Sequence, residues 1–272
     1  MQNHLRSALL TLCCGTAANA WAAGLNPATD TRQSPAADAR WLSLIVEAQE
    51  GLEPGPVSLE YEARQCMENR SYGVGGQSQS GTTKMKALNF EKPTLEKQAG
   101  SHNYQVRFAL DAGGPCQWQL KAIETSFIYR SSLAQFRGQQ LQSARLKINF
   151  RDSKKAVRSP DTRITLDYFP VIFVEEKPAN SELKLRAKTM FLPPDFDPSA
   201  SGSLRLRLRM HEDMALTVSR NPQQPSSYLL HYPDGSTLTT NNRSGAGIDD
   251  ARMRCLLSQR KQRCDQMPDD ED

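Results

Sequence analysis

Histidine and cysteine, which carry much of metal and nucleophile chemistry, are scarce in this chain. It has four histidines and six cysteines in 272 residues. Only His102, His211 and His231 lie beyond the N-terminal leader described below. His211-Glu212 opens like a zincin helix, but Ala215 stands where the second ligand would be. There is no Cys-x-x-Cys pair and no histidine pair at zinc-ligand spacing. No serine has glycines two before and two after it, so a nucleophile elbow is excluded. The Gly/Ser/Gln stretch 72–83 lacks the Lys-Ser/Thr pair of a phosphate-binding loop and reads as a surface loop. Asp195 and Asp197, around Phe196 and between prolines, read as a turn rather than an acid–base pair. Glu175-Glu176 reads as a solvated strand end. The expectation is no enzyme, no cofactor and no metal. An enzyme with a dispersed site stays open as an alternative.

Long hydrophobic runs are also missing. The longest apolar stretch near the N-terminus, residues 8–14, is too short for a bilayer, which needs about 20 residues. With Arg6 before it and small residues after it, residues 1–22 read as a secretory signal peptide. Ala18-Asn19-Ala20 and Ala20-Trp21-Ala22 both offer cleavage sites. Cys13 and Cys14 read as part of that leader, with lipidation of either as the minor alternative. A periplasmic or secreted product without a transmembrane span follows. Four cysteines then remain, Cys66, Cys116, Cys255 and Cys264. Four cysteines allow three pairings, and chain order suggests Cys66–Cys116 and Cys255–Cys264.

What the chain does have is alternation. Tyr104, Val106, Phe108 and Leu110, then Cys116, Trp118, Leu120 and Ala122, flank a Gly/Pro break and predict an antiparallel hairpin. Residues 57–66, Leu88 with Phe90, and the sets Leu146/Ile148/Phe150 and Ile164/Leu166/Tyr168 alternate in the same way. So do Leu183/Leu185/Ala187, Leu204/Leu206/Leu208/Met210, Leu216/Val218 and Leu230/Tyr232. The unbroken run 171–174 predicts a strand buried on both faces. Trp41, Leu44, Ile45 and Ala48 fall at helical spacing after Ser34-Pro35 and predict a short N-terminal helix.

A C-terminal helix is expected from Ile248 to about Ser258, capped by Asp249 or Asp250. An unbroken helix would hold Cys255 and Cys264 about 13 Å apart along its axis. Their pairing therefore requires the helix to break near Gln259. The fold class is all-β, mainly antiparallel, a sandwich or partly open barrel with these two flanking helices. The divisions are a leader (1–22), a flexible lead-in (23–36), a β-rich body (37–264) and an acidic disordered tail (265–272). A split of the body into two subdomains near 135–142 stays open.

Net charge is a modest +4, so the distribution of charge carries more than its total. Three strand segments place cations opposite their apolar side chains: Arg145, Lys147 and Arg151; Lys184, Arg186 and Lys188; Arg205, Arg207 and Arg209. If the last two segments pair across the 193–202 loop, their cations share a face. Like charges opposite one another are unfavourable, so such a face calls for counter-charge. Glu60, Glu62 and the acidic tail could neutralise it, or a partner could. Nucleic acid is disfavoured by export and by the lack of aromatics interleaved with the cations.

The layout of leader, disulfides and β body resembles that of exported β proteins of Gram-negative envelopes, including periplasmic inhibitors and immunity proteins. That likeness rests on no motif and carries no residue roles. The expected function is a non-catalytic binding protein that neutralises an anionic protein partner through its cationic face. An envelope protein that binds anionic lipid or glycan is the alternative.

Overall fold

The computed structural model describes residues 33–74, 77–130, 139–157, 161–176, 181–187, 195–199, 201–243, 250–258 and 264, the side chains of 71–81 excepted. The expected leader, most of the lead-in, Lys188 and the acidic tail lie outside the described residues.

The first half of the body holds β1 (Trp41–Ala48), β2 (Leu52–Pro54), β3 (Ser58–Val74), β4 (Gln77–Glu91) and β5 (Glu96–Lys97). It continues with β6 (Asn103–Ala109), β7 (Asp111–Gly113) and β8 (Trp118–Tyr129). The second half holds β9 (Gln140–Gln142), β10 (Ala144–Asn149), β11 (Asp161–Phe173), β12 (Glu182–Ala187) and β13 (Gly202–Met210). Then come β14 (Leu216–Arg220), β15 (Tyr228–His231), β16 (Thr237–Thr240) and the helix α1 (Ala251–Leu257).

The smaller sheet runs β10-β8-β3-β4, with β2 and β7 also on β8. The larger runs β16-β15-β14-β11-β13-β1-β6-β5, with β12 on β11 and β9 on β12. The fold is all-β and mainly antiparallel, as the alternation predicts. The larger sheet also has parallel pairs: β13 runs parallel to both β1 and β11, β14 to β11, and β9 to β12.

The inward side chains of the two sheets form one core, in which Leu44, Leu59, Leu110, Ile123 and Ile148 are completely buried. A second cluster lies on the other side of β11, among β14, β15 and α1. Ile164, Leu166, Tyr168 and Ile172 face the first core, whereas Phe169, Val171 and Phe173 face the second. The unbroken run is thus buried on both faces through Phe173, and Val174 beyond the strand is exposed.

Four local expectations are corrected. The predicted N-terminal helix is β1. Leu42, Leu44 and Val46 point into the core while Trp41 and Ile45 point out. The segment carries both periodicities, and its place between β13 and β6 decides for the strand, helped by β-branched Ile45 and Val46. The predicted 103–129 hairpin is a corner between sheets, because β6 pairs with β1 and β5 while β8 pairs with β3 and β10. Gly113 (φ 62°) turns this corner, and a Cβ there would lie 2.2 Å from the Ser34 carbonyl oxygen.

The predicted loop at 72–83 belongs to a two-stranded arm in which β3 pairs with β4 as far as Val74–Gln77. Residues 82–86 of this arm are exposed, and an exposed strand needs no apolar alternation, so composition does not reveal it. Finally, β12 and β13 do not pair; β11 lies between them.

Both disulfides join the cysteines that chain order suggests. Cys66–Cys116 spans 50 positions and Cys255–Cys264 spans nine, with Cα separations of 5.1 and 5.7 Å. Asp250 caps α1 by accepting from the Met253 N–H at 2.7 Å. The helix stops at Leu257, which lets the chain return Cys264 to Cys255. Two disulfides fit an oxidising compartment. No described helix is long and apolar enough to cross a membrane.

Candidate functional site: an arginine-rich face on the larger sheet

Of the nine cations singled out in the sequence, the eight that are described do not form one surface; Lys188 lies outside the described residues. On the smaller sheet, Lys147 is neutralised internally, by Glu124 directly across on β8 (2.7 Å) and by Glu60 on β3 (3.0 Å). Lys121 continues the network to Glu60 (3.0 Å) and Glu62 (3.6 Å). Burial pushes the Glu60 carboxyl up, but the hydrogen bonds from Lys147 and Lys121 outweigh it and hold it below the ordinary carboxylate range. Of the carboxylates that the sequence offered as internal counter-charge, Glu60 pairs with Lys147, whereas Glu62 pairs with Lys121 and Lys86, outside the nine cations.

Arg145 projects from the same strand as Lys147 and has no carboxylate within ion-pair distance among the described residues. Arg151 lies 4.0 Å from Asp195. On β12, Lys184 pairs with Glu182 at 2.9 Å and sits over the Phe173 ring.

The third segment keeps its cations together. Leu204, Leu206 and Leu208 are buried to within 1% exposure, so Arg205, Arg207 and Arg209 must point outward. Parallel pairing on both sides then fixes their neighbours. Arg205 sits between Arg163 of β11 and Ile45 of β1, and Arg207 between Thr165 and Glu47. Arg209 lies beside Asp167 and grips it at 2.8 and 3.1 Å. Burial raises the Asp167 carboxyl, but Arg209 and His211 (3.0 Å) together bring it below its ordinary value.

Glu47 is shared. It accepts from Arg205 at 3.3 Å and contacts Arg163 at 3.5 Å, with Arg207 directly across from it in register. Arg207 has no ion pair or side-chain hydrogen bond among the described residues. Farther along the face, the Arg107 guanidinium lies 4.8 Å from the centre of the Trp41 ring, which is 36% exposed. Arg107, Arg163, Arg205, Arg207 and Arg209 therefore meet only Glu47, Asp161 and Asp167 on these strands, with Glu96 at the far edge.

Sequence reasoning singled out Arg205, Arg207 and Arg209 but missed Trp41, Glu47, Arg107 and Arg163. Reading residues 41–48 as a helix hid the first two. The others were visible only as polar positions alternating with Val106, Phe108, Ile164 and Leu166, and nothing local says that these strands adjoin β13 or β1.

No family model matches the chain, and no curated protein or solved structure matches it.

Proposed function

We propose that this is an exported, non-catalytic binding protein that docks an acidic protein partner on the arginine face of its larger sheet. Its most concrete form is a periplasmic inhibitor or immunity-type protein that occupies a partner's site. The observation that carries this reading is a single glutamate, Glu47, that pairs with both Arg163 and Arg205 and lies across in register from a third arginine, Arg207. The surplus positive charge is placed for a partner's carboxylates, since guanidinium groups match carboxylates in bidentate geometry.

Trp41 with Arg107 adds the kind of side-chain pair that recurs at energetic hot spots of protein interfaces. Along β1, β11 and β13 the face is an extended sheet surface, bordered at Arg107 by a depression of about 660 Å³ beside β5, and an extended charged surface suits protein docking. The leader read from residues 1–22 and the two disulfides support an encounter in an oxidising compartment.

A photo-crosslinking amino acid at Ser43 or Thr165, both on this face, tests the reading. Illumination of envelope preparations should give one defined adduct with an acidic protein from either position. It should give none from Lys86 on the smaller sheet, and Arg205→Glu with Arg207→Glu should abolish it. Equal adducts from both sheets, or adducts indifferent to charge reversal, would count against the proposal. Adducts with lipid or glycan alone would favour the envelope-binding alternative.

A further inference from the structure

The two sheets part where β9 leaves β12. β9 pairs with Glu182, Leu183 and Lys184. After Ser143 the chain begins β10, which pairs with β8 of the smaller sheet instead. Beyond that point the end of β12 borders a cleft of about 370 Å³ whose opposite wall is the start of β10. Leu146, Leu166 and Leu185 give it apolar walls. Its charged lining is Arg145, Lys184 and Arg186, and no carboxylate lines it among the described residues.

Lys184 already has Glu182 at 2.9 Å. Arg145 has no ion pair among the described residues, and the Nε of Arg186 is buried with no hydrogen-bond partner. A buried guanidinium N–H without an acceptor is a cost that a bound acceptor would remove. Tyr168, which also lines the cleft, is pushed up to about 12 by burial and so adds no negative charge at neutral pH.

We propose that this cleft binds a small amphipathic anion, with a carboxylate or phosphate head between Arg145 and Arg186 and a short hydrocarbon body against the leucines. The cleft lies near the small end of the roughly 300–1,000 Å³ typical of ligand pockets, which fits a single short chain. This site uses none of the residues of the docking face, so either proposal can fail without the other.

The test is calorimetric titration of the full mature protein with decanoate, decyl phosphate, inorganic phosphate and a decyl trimethylammonium salt, all below micelle formation. Decanoate or decyl phosphate should bind saturably, and which one binds better identifies the head group. Arg145→Gln and Arg186→Gln should each weaken binding by about tenfold or more, the loss of one charge-assisted hydrogen bond. Arg207→Gln should leave it unchanged. Arg145 is exposed on a strand surface, so Arg145→Gln keeps the test valid should Arg186→Gln fail to fold.

Failure of both decyl anions to bind would overturn the proposal. So would binding indifferent to Arg145 and Arg186, or equal binding of the decyl cation. Inorganic phosphate binding as tightly as decyl phosphate would overturn the apolar part of the assignment.

Discussion

Replacing Glu47 with Gln isolates the charge surplus on the larger sheet. The side chain is 23% exposed and meets Arg205 (43% exposed) at 3.3 Å and Arg163 (56% exposed) at 3.5 Å. Exposed pairs of this kind each contribute about 0.2–1 kcal/mol, so losing both costs roughly 1 kcal/mol. Arg163 and Arg205 are also direct cross-strand neighbours, and removing the carboxylate between them adds a few tenths more of repulsion. The isosteric amide preserves packing, which makes the loss electrostatic.

Urea denaturation at low salt should therefore show Glu47→Gln less stable by about 1–1.5 kcal/mol, or roughly 2–5 °C in Tm for a body of this size. At about 0.5 M salt the screening length falls to about 4 Å, and at least half of the difference should vanish. Binding of the acidic partner should move the other way and tighten, because a carboxylate has left the docking face. A stability loss equal at both salt concentrations, or no loss at low salt, would refute the reasoning.

Other expectations follow from the same geometry. Closing a 50-residue span should stabilise more than closing a nine-residue one. By chain entropy, Cys66→Ala with Cys116→Ala should cost about 4 kcal/mol, and Cys255→Ala with Cys264→Ala about 2.6 kcal/mol. Urea midpoints under oxidising conditions should rank the pairs in that order, and the reverse order would contradict it.

Glu60 is held below its ordinary carboxyl value of 4.5, so its charge stabilises the fold fully above that pH and loses its effect as pH falls through the lower folded value. Glu60→Gln should therefore be less stable than the parent at pH 7, with the gap closing below pH 4.5. A gap independent of pH would place the Glu60 contribution in packing instead. Trp41→Ala should weaken partner binding by about tenfold or more, as for an interface hot spot, without altering the charge. Surface plasmon resonance against the crosslinked partner reads this directly.

Much of the fold was legible in the sequence because a half-buried strand must alternate. Leu204 to Met210 and Leu146 to Phe150 show their buried side in the string itself. Strand neighbours were not legible. The alternation of Val106 and Phe108 is the same whether β6 joins β8 or, as it does, β1. The 41–48 segment satisfied helical and strand spacing at once, and only its tertiary neighbours separate the two.

The candidate site suffered from the same gap. Arg205, Arg207 and Arg209 stood out because three arginines alternate within one segment. Arg163 and Glu47 acquire meaning only when parallel pairing carries β11 and β1 to the two sides of β13. The broad cationic surface expected from nine residues divides for a physical reason. Lys147 finds Glu60 and Glu124 on its own sheet, and β11 separates the cations of β12 from those of β13.

A charge swap tests the docking claim most directly. The dissociation constant should be measured between this protein and its crosslinked partner, with Arg207→Glu here and with the partner's facing carboxylate changed to arginine. Each single change should weaken the complex by about tenfold or more, and the two together should restore most of the affinity. A double variant no tighter than either single one would contradict the arginine face as the docking surface.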